Sequence, residues 1–307
     1  MNVLFFGSPD FAVPSLRALV GEGFNVSAVV TQPDRPQGRS RSTTVETPVK
    51  AAATAEGLDV LQPERPTEPE FVDRLTALAP DVGVVVGYGH ILRTALLHLP
   101  RRGMVNVHPS LLPALRGAAP IEWTILRGIE HSGVTIMQMD EGMDSGPILH
   151  QLPHRVAPGT TAGELGAHLA EMGAQALIEA LALWEQDGLK PVPQDAERAT
   201  FAPKLTREIA HIDWSHSADV VSRQTLALDP RPGAWTTHEG REVKLFGAVP
   251  LPGRGNPGEV MEAAARLVVA TGEGLVEVNE VQPAGKERMP ASDWIRGRGT
   301  AVGRRFT

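Results

Sequence analysis

The chain of 307 residues is 42% hydrophobic and 21% charged, with a net charge of −7 and no cysteine. This composition indicates a globular protein of one large domain or two, and it excludes disulfides, thiolate metal sites and a cysteine nucleophile. The net charge argues against indiscriminate binding of nucleic acid, but it is uneven, at −8 over residues 1–189 and +1 over residues 190–307. No apolar run approaches the ~20 residues that span a bilayer. No signal segment opens the sequence, so we expect a cytoplasmic protein.

Short apolar runs alternate with helical patterns through the first part of the chain. Strands are predicted at residues 3–7, 26–31, 58–62 and 82–87, and helices at residues 14–20 and 71–78. The run at 82–87 is fully apolar, as in strands that are buried on both faces. This alternation predicts an α/β fold with a doubly wound, mostly parallel sheet.

The pattern changes after the longest predicted helix, at residues 165–185, which follows a capping-box-like pair formed by Thr161 and Glu164. Proline and polar residues then interrupt regular structure, which predicts a linker over residues 190–204. Short strands separated by glycine and proline follow, and this spacing favours a small β-barrel. We therefore expect a first domain at 1–189 and a C-terminal β domain at 205–307.

Asn106 and His108 lie two residues apart at the end of an apolar strand, so their side chains point the same way. An amide that cannot titrate and an imidazole that titrates near neutral pH suit a carbonyl that becomes tetrahedral. Taken alone, the pair is explained better by a strand end that satisfies a turn. A second β-rich run at residues 133–140 leads to Asp144. Because catalytic groups of open α/β sheets gather at the carboxyl ends of strands, we expect the two loops to converge.

Several stretches of the sequence together resemble the folate-dependent formyltransferases. They are Asn106-Val-His108, Ser110-Leu-Leu-Pro113, Arg116-Gly-Ala-Ala-Pro120, Asp144, Gly7-Ser-Pro-Asp-Phe11, Thr31-Gln-Pro-Asp-Arg-Pro36, Gly87-Tyr-Gly89, Ile212-Asp-Trp214 and Gln282-Pro-Ala-Gly-Lys286. The Gln-Pro-Asp-Arg-Pro loop and the long C-terminal part favour the members that act on methionyl initiator tRNA. The resemblance implies formyl transfer from 10-formyltetrahydrofolate to the α-amine of methionine on this tRNA, for translation initiation. It also implies that the C-terminal domain is OB-like and binds tRNA.

The resemblance also assigns roles to individual residues. It makes Asn106 the donor to the developing oxyanion, and His108 and Asp144 the groups that stabilise charge and move protons. The residues expected to bind folate lie in a turn and at the end of a strand: Ser110, Leu111, Leu112, Pro113, Val86, Gly87 and Tyr88. The residues expected to bind tRNA are three arginines of one loop: Arg35, Arg39 and Arg41. By composition alone, that loop is a solvated connector. We expect a monomer without a metal ion.

Other functions receive less support from the sequence. The second and third glycine positions of a dinucleotide-binding motif are occupied by Pro9 and Ala12, and no serine-hydrolase or His-Glu-x-x-His motif is present. A formyl-folate hydrolase uses similar residues but needs no tRNA domain, and a sugar-nucleotide formyltransferase lacks the arginine loop. Arg116 is open to three interpretations, since it could hold the folate, hold the following helix or form a structural ion pair.

Overall fold

The computed structural model describes residues 1–37, 43–186 and 188–307, so Arg39 and Arg41 lie outside the described residues. The chain divides into two compact units. The first unit comprises Met1–Gly117, Ser132–His154 and Gly166–Phe201, and the second comprises Ala118–His131, Arg155–Leu165 and Ala202–Thr307. No described helix is long and apolar enough to cross a membrane.

A seven-stranded sheet forms the centre of the first unit. In chain order, the strands up to the end of this sheet are β1 (Asn2–Gly7), β2 (Asn25–Val30), β3 (Arg35–Gln37), β4 (Thr43–Val45), β5 (Val60–Leu61), β6 (Val82–Val86), β7 (Met104–His108), β8 (His131–Gln138) and β9 (Ile148–Arg155). The spatial order is β5-β2-β1-β6-β7-β8-β9, while β3 and β4 form a separate antiparallel pair. The first five strands of this order pair in parallel, and β8 is antiparallel to β7.

Nine helices lie within the described residues. They are α1 (Val13–Gly21), α2 (Pro48–Ala55), α3 (Pro69–Ala77), α4 (Thr94–Leu97), α5 (Pro120–Leu126), α6 (Ala162–Glu185), α7 (Arg207–Ala210), α8 (Ala218–Ala227) and α9 (Ala291–Arg296). The predicted capping box opens α6, because Thr161 N donates to Glu164 Oε2 at 2.9 Å and Glu164 N donates to Thr161 Oγ1 at 3.2 Å. Unlike α6, helix α2 was not predicted. It begins at Pro48, and Thr47 caps it by accepting from Lys50 N.

The sheet of the first unit is covered on both faces. Successive residues of β1, from Val3 to Phe6, are all fully buried although their side chains alternate between the faces. Helix α6 covers one face at close range, since a Cβ added to Gly173 would lie 2.8 Å from Val107 Cγ1. The predicted doubly wound, mostly parallel α/β sheet is confirmed.

The second unit contains antiparallel strands in the C-terminal part, where a small β-barrel is predicted. Its strands are β10 (Ala234–His238), β11 (Arg241–Phe246), β12 (Val249–Leu251), β13 (Val260–Ala263), β14 (Leu267–Ala270), β15 (Leu275–Val278), β16 (Glu280–Pro283) and β17 (Met289–Pro290). They form two four-stranded sheets, β10-β11-β16-β17 and β12-β15-β14-β13, whose inward residues share one apolar core. In that core Trp214 stacks on Phe306 at 5.6 Å and donates through Nε1 to Thr236 Oγ1 at 2.9 Å.

Several predicted strands have different bounds in the structure. The strand predicted at 58–62 is reduced to Val60–Leu61. The apolar run at 275–281 forms two strands that break at Asn279. Strand β9 was missed because histidine, glutamine and proline interrupt its apolar pattern.

Candidate active site

Three neighbouring strands end at one edge of the sheet and carry the candidate site. In the parallel register, Gly7 of β1 lies opposite Val86 of β6, and Val85 lies opposite Asn106 of β7. The carboxyl ends of β1, β6 and β7 therefore meet, as expected for a site in an open α/β sheet. His108 is the last residue of β7, two positions beyond Asn106 and on the same side of the strand.

The His108 imidazole is buried, with 3% of its surface exposed, and its hydrogen bond fixes the tautomer. Nε2 lies 3.0 Å from the carbonyl oxygen of Leu115. Because a carbonyl oxygen can only accept, Nε2 carries the proton, and Nδ1 of the neutral ring is left as a base. Burial lowers the pKa of His108 below its ordinary value of 6.5, against the opposing effects of the Asp144 charge and the Leu115 carbonyl. The ring is therefore neutral at neutral pH, with its basic nitrogen available.

Asp144 reaches His108 through a loop that folds back on the sheet. Its Oδ2 lies 3.7 Å from His108 Nδ1 and accepts a hydrogen bond from Gly117 N at 2.8 Å. The expected convergence of the two loops is thus present, but its stated cause was wrong. Since β8 is antiparallel to β7, with Gln138 opposite Val105, the chain leaves β8 away from the end of β7. It returns within six residues, and Asp144 adopts a left-handed backbone with φ of 49°.

The Asn106 side chain is half-buried at the same edge of the sheet. Within residues 1–37, 43–186 and 188–307, none of the hydrogen bonds involves its side-chain amide, so the two N–H groups are free to donate to a substrate oxygen. A preorganised amide donor at a site with little water can stabilise negative charge that develops on such an oxygen. This end of β7 thus carries an amide donor, at Asn106, and a base beside a carboxylate, at His108 and Asp144.

The turn from Ser110 to Pro113 is fixed by a hydroxyl on the neighbouring strand. Thr135 Oγ1 donates to Ser110 O at 2.6 Å and accepts from Leu112 N at 3.0 Å and from Gln151 Nε2 at 2.9 Å. Ser110 and Leu112 are buried, whereas Leu111 and Pro113 are half-exposed. Of the four residues expected to bind folate in this turn, the latter two present the accessible side chains.

A cavity of about 430 Å³ lies beside the end of β6. Its lining includes Ser8, Gln32, Arg35, Gly87 and Tyr88. The volume is in the range of pockets for small molecules. Two residues expected to bind folate therefore border the same space as an arginine expected to bind tRNA.

Tyr88 can contact a ligand in this cavity only through its backbone, because its side chain is buried. Its side chain is 2% exposed and packs edge-on against Phe6 at 5.4 Å, and burial raises the pKa of its phenol to about 12. Its carbonyl oxygen accepts from Gln32 Nε2 at 3.1 Å. Val86, also expected to bind folate, is fully buried, so its side chain supports the cavity from within the core.

Arg116 binds a side-chain amide, a partner that no pattern in the sequence predicts. Its Nε and Nη2 donate to Gln194 Oε1 at 3.0 and 2.7 Å, so this bond matches none of the three interpretations of Arg116. Gln194 Nε2 donates in turn to the carbonyl oxygens of Asp144 and Gly146 at 2.9 and 2.7 Å. Gln194 lies in the segment predicted as a linker, where no periodicity marks a single polar residue. No group of three or more histidine, aspartate or glutamate residues that could hold a metal ion occurs in the described parts of the chain.

Comparison with known families covers both halves of the chain. Residues 1–181 match the family model described as formyl transferase, and residues 204–299 match the one described as formyl transferase, C-terminal domain. Among solved structures, HypX from Aquifex aeolicus in complex with tetrahydrofolic acid is 20% identical, with a TM-score of 0.67 over 98% of this chain and 48% of that one. WlaRD, a sugar 3N-formyl transferase, is 16% identical, with a TM-score of 0.68 over 94% of this chain and 99% of that one.

Curated relatives are much more similar in sequence. A methionyl-tRNA formyltransferase of Magnetococcus marinus is 45% identical over 306 residues, which cover 99% of this chain and 98% of the relative. One from Geobacillus thermodenitrificans is 44% identical over 305 residues, which cover 98% of this chain and 95% of the relative. The chain therefore belongs to the formyl transferase family, together with the methionyl-tRNA formyltransferases that it resembles along almost its whole length.

Proposed function

We propose that this protein transfers the formyl group of 10-formyltetrahydrofolate to the α-amine of methionyl initiator tRNA, giving N-formylmethionyl-tRNA for translation initiation. The observation that carries the proposal is the pairing of a buried, neutral His108, whose Nδ1 is a free base, with the Asp144 carboxylate beside it. Similarity to methionyl-tRNA formyltransferases in both halves of the chain supports the choice of acceptor.

The three polar residues have separate roles in this reaction. The amine nitrogen forms a bond to the formyl carbon, and Asn106 donates a hydrogen bond to the formyl oxygen as it becomes negative. His108 Nδ1 takes the proton that the attacking nitrogen loses, and the Asp144 carboxylate stabilises the imidazolium. The bond from the formyl carbon to N10 of the folate then breaks, and the same proton passes to N10. Because the nucleophile is the acceptor amine, no covalent bond to the enzyme forms.

The folate is proposed to lie against the turn at Ser110, Leu111, Leu112 and Pro113, with its pterin near Val86, Gly87 and Tyr88. Leu111 and Pro113 supply accessible apolar surface, and the backbone around Gly87 borders the 430 Å³ cavity. Backbone groups near the end of a strand can bind the edge of a pterin by hydrogen bonds, while apolar side chains cover its faces.

The tRNA is proposed to contact Arg35, Arg39 and Arg41 and the C-terminal β domain. Arg35 is exposed, and within the described part of the chain its side chain bonds to Gln32, at 3.3 Å, so its guanidinium can neutralise a phosphate. The domain bounds proposed from the sequence, 1–189 and 205–307 joined by a linker at 190–204, remain a prediction. A monomer in the cytoplasm is likewise predicted.

The test of this function is formyl transfer assayed with charged initiator tRNA, with charged elongator tRNA and without acceptor. We expect product with the initiator tRNA and much less with the elongator tRNA. Release of formate at the same rate without acceptor would identify a hydrolase. Transfer to an amino sugar nucleotide in place of tRNA would identify a sugar formyltransferase.

A further inference from the structure

Gln194 uses every hydrogen-bonding position of its side-chain amide. Oε1 accepts two bonds from the Arg116 guanidinium, and Nε2 donates to the carbonyl oxygens of Asp144 and Gly146. The reverse orientation of the amide would place its N–H groups against N–H donors and its oxygen against two carbonyl oxygens. The partners therefore determine which end of the amide is which, and the side chain has one orientation.

The loop that Gln194 binds has a conformation that needs support from its surroundings. It must return from the end of β8 to His108, and Asp144 has a φ of 49°, which a residue with a Cβ adopts only when its surroundings hold it there. The Asp144 carboxylate is held by Gly117 N, and the Asp144 carbonyl oxygen is held by Gln194. One bond holds the side chain of Asp144 and the other holds its backbone, and together they fix the direction in which the carboxylate points.

The segment that carries Gln194 is itself attached to the first unit. Val192 exchanges two backbone hydrogen bonds with Ile148, each of 2.8 Å. On the other side of Gln194, Thr200 O accepts from Arg116 N at 2.8 Å, and Thr200 Oγ1 accepts from Leu115 N at 2.9 Å. The bonds at 192 and 200 leave Gln194 little freedom to move, so it can act as a rigid support.

We propose that Gln194 is a positioning residue for the reaction, and that its amide holds the 140–147 loop so that the Asp144 carboxylate stays beside His108 Nδ1. The inference rests on the proposed formyl transfer. Gln194 contacts no reacting atom, and it acts through Asp144. Loss of its two bonds to the loop should lower kcat about 10- to 100-fold, because a displacement of about 1 Å in a catalytic group can cost about 100-fold. Binding of the folate should change much less, since the turn from Ser110 to Pro113 is held separately by Thr135.

Three variants separate this role from general stabilisation. Gln194→Met keeps the volume and removes all four bonds, whereas Gln194→Glu keeps an acceptor for Arg116 but sets an oxygen against the carbonyls of Asp144 and Gly146. Gln175→Met is the matched control, because Gln175 is an exposed glutamine of α6 that bonds only to Glu179 among the described residues. We expect kcat to fall in both Gln194 variants and to be unchanged in the control. Recovery of kcat in Gln194→Glu would mean that only Arg116 matters, and would overturn the proposal.

A second measurement does not depend on activity. The Cε1 proton of His108 can be titrated by NMR, with its signal assigned from its absence in His108→Gln. Among the described residues, the charged side chain that acts on this ring is Asp144, and it raises the pKa of His108. In Gln194→Met the carboxylate should move away, and the His108 titration should shift to lower pH. An unshifted titration would overturn the proposal even if the protein proved to formylate another acceptor, while failure of tRNA formylation alone would count only against the proposed function.

Discussion

The buried hydroxyl of Thr135 makes three hydrogen bonds, two of them to the turn from Ser110 to Pro113, and these bonds should stabilise the fold. Thr135 is fully buried, and Thr135→Val replaces its hydroxyl with a methyl group of similar size. The change leaves Ser110 O, Leu112 N and one Gln151 N–H without the partners they have now. A buried polar group without a partner costs about 1–3 kcal/mol, and Gln151 keeps its bond to Leu112 O. For the two backbone groups, we therefore expect the free energy of unfolding to fall by about 2–6 kcal/mol.

Urea denaturation followed by circular dichroism would measure this loss, with Thr135→Ser as the control. Serine keeps the hydroxyl and removes only one methyl group, so its cost should be near 1 kcal/mol, as for other small deletions in a core. The folate should also bind more weakly to Thr135→Val than to Thr135→Ser, because the turn that carries Leu111 and Pro113 loses its support. A loss below 1 kcal/mol in Thr135→Val, or equal losses in both variants, would refute the reasoning.

The remaining predictions concern the chemistry and the acceptor. Asn106→Ala should lower kcat about 100-fold or more with little change in folate affinity, because its donor acts on the transition state; an equal rise in the Kd of folate would contradict this role. The rate should be constant above the lowered pKa of His108 and should fall as pH drops through it, below 6.5, since the neutral ring is the base. Asp144→Asn should move the acid limb of the residual rate to still lower pH, because that carboxylate raises the pKa, and a shift to higher pH would exclude the assignment. Changing Arg39 and Arg41 to Ala should flatten the salt dependence of tRNA binding without affecting the binding of folate. Arg35 lines the cavity, so Arg35→Ala tests whether the two substrates meet there.

The sequence predicted well those strands and helices that a run or a period of apolar residues marks. The strands β1, β2 and β6 were located as short apolar runs, and the long helix α6 was located by the period of its apolar residues. Asn106 and His108 were placed on one side of one strand because residues two positions apart on a strand share a face wherever the strand lies. Helix α2 and strand β9 have no such period, and both were missed.

Contacts between distant loops could not be predicted in this way. The position of Asp144 depends on the direction of β8, and a β-rich run has the same sequence pattern whether its strand is parallel or antiparallel to β7. Gln194 stands alone in a stretch of proline and polar residues, 50 positions from the carbonyl that it binds. A single polar residue becomes informative only when its partners are known.

One tripeptide holds both members of the His108–Asp144 pair. The carbonyl oxygen of Leu115 fixes the tautomer of His108, and the amide of Gly117 binds the carboxylate of Asp144. A peptide carbonyl and an amide two residues on can face the same pair only if the backbone turns sharply, and φ is 60° at Leu115 and 121° at Gly117. Arg116 lies between them, and its side chain reaches Gln194, which binds the other side of the Asp144 loop. The base and the carboxylate are thus set by one turn, so a change in its backbone should disturb the protonation of His108 and the position of Asp144 together.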